Sequence, residues 1–376
     1  MSKTQLKGDL KNSLPSSSKG LGKSYLRFWR RLIGHKENYS YLCAALKGRA
    51  ARFYKWEELC ALARGDFKAL ESEFLEGRYR ESYRSQILSA LSSPLRKIEL
   101  SIMFEVTKRL RTAHSKAEGE PYDLMSVVLS RGDLHNFRVI LRRFASNHRI
   151  QTEEYLWHLY GNLPRKFYKN IWDSNNIPAA REEIYLFDDP HGMILDKALM
   201  VLQNTGNLIK AERDLILSYI NYHEGIVSKY QNKNGALVRE FLGRLVDLWN
   251  INLWLRERAN IVSKEEGLRY LPGGAWINPE VLAKAKVITE AVHGTPWRKA
   301  VRKGGFKSFQ EFQWHLQSEF WTWQVSLFRK DPLGFEVPFG YIAKVLVEWS
   351  NLNIIAVGIA FGSHPKKITD RLIPIK

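Results

Sequence analysis

Apolar residues recur every three or four positions along most of this chain, which is the period of an α-helix packed on one side. In the stretch that begins at Pro94, the apolar stripe runs through Leu95, Ile98, Ile102 and Leu110. Alternating apolar and polar runs, which are typical of strands, are hard to find. The pattern therefore predicts an all-α protein.

The same period predicts the individual helices, and prolines, glycines and polar clusters predict the breaks between them. A stretch with several prolines, from Asn162 to Asp189, is expected to separate a first helical unit from a second. A turn is expected at Gly273-Gly274, after Pro272. The predicted helices cover residues 41–62, 67–75, 94–110, 123–144, 194–205, 209–229, 237–260, 279–292, 309–328, 338–361 and 366–372, with a further helix start at Thr152.

One short polar pattern occurs three times within these helices. An acidic residue is followed three positions later by asparagine, and then at once by a large apolar residue. The acid and the asparagine are Asp133 and Asn136 in the first copy, Asp247 and Asn250 in the second, and Glu348 and Asn351 in the third. The three asparagines are 114 and 101 positions apart. Such spacing predicts one helical unit used three times.

In each copy, apolar residues stand one, four and five positions after the asparagine. The acid and the asparagine fall on the same side of the helix as these apolar residues. Polar groups on a buried face must be hydrogen-bonded, or they reduce stability. We therefore expect each pair to hold the ends of neighbouring helices through their unpaired backbone groups. The alternative is that the three carboxylates converge on an ion or a reaction centre. No His or Cys accompanies them at ligand spacing, which favours the structural interpretation.

The charge of the chain is unusual for its size. Its 376 residues are enough for two or three domains, and the net charge is +19. A basic chain commonly has an anionic partner, such as nucleic acid, an acidic protein surface or anionic lipid. Lys and Arg are spread over the whole length, so basic solvated helix surfaces would also explain the charge.

The first 23 residues are rich in Ser, Lys and Gly, and we expect a disordered basic tail there. Gly22-Lys23-Ser24 resembles the end of a phosphate-binding loop by chance, because Ser17 stands where the loop needs its first glycine. The segment from Tyr25 to Ile33 predicts a basic amphipathic helix, packed on the protein or lying on a membrane surface. Three units are expected to follow the tail, over residues 24–162, 163–272 and 273–376.

Sequence signals for chemistry are missing. The chain has no glycine-rich loop between a strand and a helix, no His-Glu-x-x-His and no cysteine pairs at zinc spacing. Its two cysteines, Cys43 and Cys60, fit a reducing compartment. No apolar run is long enough to span a bilayer, and the closest is Ile354–Phe361. We therefore predict no catalytic residue, no cofactor and no metal ligand. The twelve Trp residues, several at helical spacing, are expected to be core or interface anchors.

Several segments resemble the C subunit of the V-type and archaeal-type rotary ATPases, which is called the d subunit in eukaryotes. The resemblance runs from about Tyr41 to the end of the chain. It rests on the stretch from Tyr41 to Arg52 and on the three acid-x-x-Asn-apolar copies in order. A Leu271-Pro272-Gly273-Gly274 turn between the second and third copies also supports it.

The resemblance implies a fold of three similar helical bundles, arranged with pseudo-threefold symmetry as a funnel. It implies a non-catalytic central-stalk subunit on the cytoplasmic face of the membrane. Such a subunit links the membrane rotor ring to the central shaft, and so couples rotation, and ATP synthesis, to proton or sodium transport. The basic N-terminus departs from the family pattern and is expected to lie near anionic lipid head groups.

Two other interpretations remain open from the sequence. A basic helical-repeat protein that binds nucleic acid would show clustered surface Lys and Arg with exposed aromatic rings. An enzyme that uses the three acids with a metal ion would bring their side chains within coordination reach of one ion.

Overall fold

The computed structural model describes residues 37–87, 93–146, 157–258, 270–304 and 309–375, with the backbone alone at 302–304 and 309. In that part of the chain the regular structure is helical and no strand occurs, which confirms the all-α prediction. The helices are α1 Tyr39–Arg49, α2 Trp56–Arg64, α3 Phe67–Glu76, α4 Arg80–Ile87, α5 Pro94–His114, α6 Glu120–Leu129, α7 Arg131–Ala145, α8 Arg165–Asp173, α9 Ile177–Phe187, α10 Met193–Thr205, α11 Leu208–Val227, α12 Lys233–Arg258, α13 Pro279–Lys284, α14 Ile288–Ala291, α15 Arg298–Gly304, α16 Phe309–Ser326, α17 Glu336–Ala360 and α18 Pro365–Thr369.

Short polar side chains fix the starts of several helices. The first N–H groups of a helix have no partner within it, and a side-chain oxygen just before the helix can accept from them. Asp66 accepts from the first turn of α3, and Asn207 does so for α11. Ser93 begins α5 in the same way, and Pro94 follows it where no N–H is needed.

The proline-containing stretch from Asn162 to Asp189, expected to separate the first unit from the second, carries α8 and α9. Pro164 directly precedes α8, and Pro178 lies in the first turn of α9. A proline is tolerated at both places because the first turn does not use its N–H. Both prolines therefore stand at helix starts.

Other helix bounds also differ from the prediction. The expected helix over 123–144 is two helices, α6 and α7, which meet at Ser130. The expected helix over 279–292 is the two short helices α13 and α14. The expected helix over 41–62 is interrupted after Arg52, where Phe53 and Lys55 are extended. The composition of the segment does not predict this last break, because no glycine or proline occurs at Phe53–Lys55.

Helix α17 runs through the core and packs against α1, α5 and α16. Among the described residues it is long and apolar enough to cross a membrane by length and composition, contrary to the expectation that no segment would be. That expectation counted uninterrupted apolar residues, whereas Lys344 and Glu348 interrupt α17 without making it polar overall. Within the protein, 61% of its apolar window is buried.

Four sequence-based expectations concern residues outside the described part of the chain. They are the basic tail over 1–23, the chance match at Gly22-Lys23-Ser24, the amphipathic helix from Tyr25 to Ile33 and the helix start at Thr152.

Candidate functional site

The three acid–asparagine pairs lie on α7, α12 and α17, and all six side chains are fully buried. We call each pair with its hydrogen-bond partners a hub. Hub 1 contains Asp133 and Asn136, hub 2 contains Asp247 and Asn250, and hub 3 contains Glu348 and Asn351.

Each asparagine forms two hydrogen bonds with the backbone of a single residue 21 or 22 positions later. In hub 1, the Asn136 side-chain amide donates to the His158 carbonyl at 3.1 Å, and the His158 N–H donates back at 2.7 Å. Asn250 pairs with Leu271 at 2.8 Å in both directions, and Asn351 pairs with Ile373 at 2.7 and 2.8 Å. A carboxamide carries the donor and acceptor of a peptide group, so it can pair with the backbone as a strand would.

The carboxylate of hub 1 accepts hydrogen bonds from both backbone and side chains. Asp133 accepts from the N–H groups of Asn162 at 2.8 Å and Leu163 at 3.3 Å, immediately before α8. The Tyr168 hydroxyl donates to the same carboxylate. His191 Nε2 lies 3.1 Å from Asp133 Oδ2. The carboxylate therefore fixes the start of α8 and the segment before α10 against α7.

The carboxylate of hub 2 receives neutral donors. Asp247 accepts from the N–H groups of Trp276 and Ile277, each at 3.1 Å, just before α13. The indole N–H of Trp297, which is also fully buried, donates to Asp247 Oδ2 at 2.9 Å. Burial raises the pKa of the Asp247 carboxyl above its ordinary value, and the hydrogen bonds from Trp297, Ile277 and Trp276 oppose that shift.

The carboxylate of hub 3 is held by a part of the chain far away in sequence. Glu348 accepts from the Tyr54 N–H at 2.7 Å, although the two residues are 294 positions apart. The Tyr79 hydroxyl donates to it at 2.8 Å, and the Arg109 guanidinium donates at 2.7 Å. Arg109 also bonds Glu105 at 3.0 Å. Hub 3 therefore joins α17 to the segment before α2, to the segment before α4 and to α5.

The three hubs share one local plan, with a difference in chain order. In hubs 1 and 2, the backbone donors follow the acid by 29 and 30 positions and directly precede a helix. In hub 3, the donor again directly precedes a helix, but it is Tyr54, before α2. The unexpected break at Phe53–Lys55 is what exposes this N–H. An early segment of the chain thus takes the place that a following segment takes in hubs 1 and 2.

Two glycines leave the space that the carboxylates of hubs 1 and 2 occupy. A Cβ atom added to Gly161 would overlap Asp133 Oδ1, and one added to Gly274 would overlap Asp247 Oδ1. Gly274 belongs to the Pro272-Gly273-Gly274 turn that the sequence marked. Gly273 has a φ of +84°, a conformation that residues with a Cβ rarely adopt. The turn is therefore shaped by its contact with hub 2.

This arrangement does not bring the three carboxylates together. Each has its own set of partners, and among the described residues none is shared between hubs. Within the described ranges, no three His, Cys, Asp or Glu side chains lie where they could hold a metal ion. Every carboxylate accepts several hydrogen bonds that fix it in place. The interpretation of the three acids as one metal-binding centre therefore has no geometric basis.

Several hub residues were not apparent from the sequence. No repeat in the sequence marks these residues, because the number of positions between each of them and its acid differs from hub to hub. They are Tyr54, Tyr79, His191 and Trp297. Arg109 did leave a signal, because it lies on the apolar stripe of α5, three positions after Val106. An arginine on such a stripe predicts a buried carboxylate nearby.

The described part of the chain is therefore an all-α protein whose three buried acids each hold neighbouring helices in place. Comparison with known families gives a match to the ATP synthase (C/AC39) subunit family over residues 42–371. Because the match spans most of the chain, this protein belongs to that family. The resemblance found in the sequence is thereby confirmed.

A relative of known name agrees with the family match. The chain is 21% identical over 353 residues to the C subunit of the A-type ATP synthase of Methanocaldococcus jannaschii, and the alignment covers 90% of this chain and 86% of the relative. The family comprises a structural, non-catalytic subunit of the rotary ATPase, so the chain is not itself an enzyme.

Proposed function

We propose that this chain is a central-stalk subunit of a V/A-type ATPase that links the membrane rotor ring to the central shaft. In that role it couples rotation to proton or sodium transport. The triplicated hub is the observation that carries the proposal. A coupling element must transmit torque without deforming, and buried polar contacts with fixed geometry oppose the sliding of helices past one another.

The units of this coupling element are proposed to be residues 24–162, 163–272 and 273–376, after a basic tail over 1–23. We propose that they form three similar bundles about a pseudo-threefold axis, as a funnel. The repeated local plan of the hubs supports this arrangement. The contact between Tyr54 and Glu348 supports it further, because it connects the first proposed unit to the third.

The proposed partners are the rotor ring subunits on one face and the shaft subunits on the other, at the cytoplasmic face of the membrane. The net charge of +19 suits an acidic partner surface or anionic lipid head groups beside the ring. The basic N-terminal residues are the part of the chain proposed to face those head groups. Neither the family match nor the relative favours nucleic acid as the partner.

Purification of the intact complex would test this function. The chain would carry an affinity tag at its C-terminus, and salt-washed membranes would be solubilised in a mild detergent. We expect ring, shaft and ATP-hydrolysing subunits to elute with it, and nuclease treatment to leave the yield unchanged. Untagged membranes provide the background. Recovery of the chain alone, or of a nuclease-sensitive complex, would contradict the proposal.

Coupling can be measured separately in membrane vesicles from cells that lack the chain. We expect ATP-driven ion uptake to be lost and to return when the wild-type chain is supplied. Normal ion uptake without the chain would refute a coupling role even if the subunits purify together.

A further inference from the structure

A small cationic cavity lies beside hub 3, near the junction of the segment after α1 with α5 and α17. It is lined by Arg49, Arg52, Phe53, Arg109 and Tyr341, so three of its five lining residues are arginine. Its volume is about 30 Å³. That space holds about two waters, and the exposed Arg52 places the mouth of the cavity at the protein surface.

The positive charge in this cavity exceeds the negative charge around it. Arg109 is matched by Glu105 and Glu348. Arg49 and Arg52 have no carboxylate partner among the residues that the structure describes. An anion that entered the cavity would therefore relieve repulsion as well as gain hydrogen bonds.

The wall of the cavity also offers a neutral donor. Tyr341 is 2% exposed, and Arg49 and Arg109 lie near its hydroxyl. A guanidinium presents two parallel N–H groups that match the oxygens of a phosphoryl group. Arg49, Arg52 and the Tyr341 hydroxyl all line this space.

We propose that this cavity binds an oxyanion of the phosphate class, either as free phosphate or as the phosphoryl group of a larger molecule. Arg49 and Arg52 provide the charge-assisted hydrogen bonds, and Tyr341 provides a third donor. Arg109 contributes positive potential while it remains bonded to Glu348.

The position of the cavity gives such binding a consequence for the fold. Phe53 is next to Tyr54, whose N–H donates to Glu348, and Arg109 donates to the same carboxylate. An oxyanion here bridges the end of α1 to α5 and α17. It therefore stabilises the contact that joins the early helices to hub 3, and through it the folded chain.

The test compares two matched double variants of the full chain, Arg49→Gln/Arg52→Gln and Arg64→Gln/Arg84→Gln. Arg64 and Arg84 are exposed and lie away from the cavity lining, so the control removes equal charge. Arg109 stays unchanged because its loss would also damage hub 3. Titration calorimetry with inorganic phosphate, against sodium chloride at equal ionic strength, measures binding directly and avoids the general stabilising effect of phosphate.

We expect the wild-type chain and the control to bind phosphate alike. In the Arg49→Gln/Arg52→Gln variant, each guanidinium removed should weaken phosphate binding by about tenfold or more. One hydrogen bond to a charged group contributes roughly that factor to a dissociation constant. Equal binding by both double variants, or no binding beyond that of chloride, would overturn the proposal.

A second arm identifies the source of the phosphoryl group. Vesicles of phosphatidylcholine with and without phosphatidylglycerol are sedimented with each protein. Loss of vesicle binding in the Arg49→Gln/Arg52→Gln variant alone, with competition by phosphate, assigns a lipid head group to the cavity. If the wild-type chain binds phosphate but both double variants bind vesicles equally, the phosphoryl group comes from a soluble molecule. Either assignment upholds the site, and the absence of both refutes it, whatever the outcome for the rotary complex.

Discussion

The hubs differ most in the kind of donor that faces each carboxylate. A buried carboxylate is unfavourable unless it is well hydrogen-bonded, and a buried ion pair loses much when one partner is removed. Glu348 is bonded by the Arg109 guanidinium, and both groups are buried. Asp247 is bonded by two N–H groups and an indole, all neutral. The charge on Asp247 is therefore less necessary to its site than the charge on Glu348.

Neutral amide variants should separate these two cases. We expect Glu348→Gln to lower the free energy of unfolding by about 3–5 kcal/mol, because it leaves the buried Arg109 charge without its closest counter-ion. Asp247→Asn should cost about 1–2 kcal/mol, because only one acceptor is lost and the raised pKa of Asp247 already disfavours the charge. Urea unfolding measures both, with the exposed Asp370→Asn as control. Equal losses in the two hub variants would contradict this difference between the hubs.

Stability should fall as the pH is lowered below neutrality, because of a buried histidine. Burial, with His191 nearby, lowers the pKa of His223 well below its ordinary value near 6.5. Between those two pKa values the unfolded chain binds a proton that the folded chain does not. The free energy of unfolding therefore decreases with falling pH by up to about 1.4 kcal/mol per pH unit from this group.

This pH dependence can be assigned by substitution. His223 Nε2 lies 2.9 Å from Ser130 Oγ, a contact that glutamine can also make. We expect His223→Gln to reduce the slope of stability between pH 7.5 and 5.5, and the exposed His293→Gln to leave it unchanged. Denaturant unfolding at several pH values gives the slope. An unaltered slope in His223→Gln would show that other groups cause the pH dependence.

At the scale of elements, the apolar period was sufficient to locate the long helices, including α5, α10, α11 and α17. It was insufficient where a break depends on a partner elsewhere in the chain. At the break over Phe53–Lys55, the Tyr54 N–H bonds the distant Glu348, and a local contribution comes from Glu58, which accepts from the Lys55 N–H at 2.6 Å. The acid–asparagine pairs could be predicted because the same short pattern occurs three times in the sequence. Their partners were not, because the distance between partners is set by tertiary packing.

The turns before α8 and α13 depend on glycines that make room for a carboxylate. We expect Gly274→Ala and Gly161→Ala each to lower the free energy of unfolding by about 1–3 kcal/mol, because the new methyl group overlaps the hub carboxylate. Gly225 lies within α11 with open space around it, so Gly225→Ala should stabilise by about 0.5–1 kcal/mol. Thermal and urea unfolding of the three variants measure these changes. Stabilisation by alanine at position 274 would contradict the contact between the turn and hub 2.

At the scale of the whole molecule, hub 3 connects segments that the chain order keeps far apart. The bond from Tyr54 to Glu348 spans 294 positions, and Asn351 holds Ile373 nearby. Hubs 1 and 2 hold backbone segments no more than about thirty positions away. The packing of helices near the start of the chain therefore depends on α17, through a contact of high sequence separation.

Damage to hub 3 should consequently spread through the chain in a way that damage to hub 2 does not. In Glu348→Gln, we expect hydrogen exchange to accelerate at the Tyr54 amide and in α2, because the acceptor that holds them is weakened. In Asp247→Asn, faster exchange should be confined to α12, to residues 270–284 that follow it and to the segment around Trp297. Mass spectrometry of peptides from both variants, at matched global stability in dilute urea, separates the local effects from the overall loss. Faster exchange in Glu348→Gln that stayed within α17 would mean that Tyr54 is held by its own neighbours, and the proposed connection of the first unit to the third would then lack its main support.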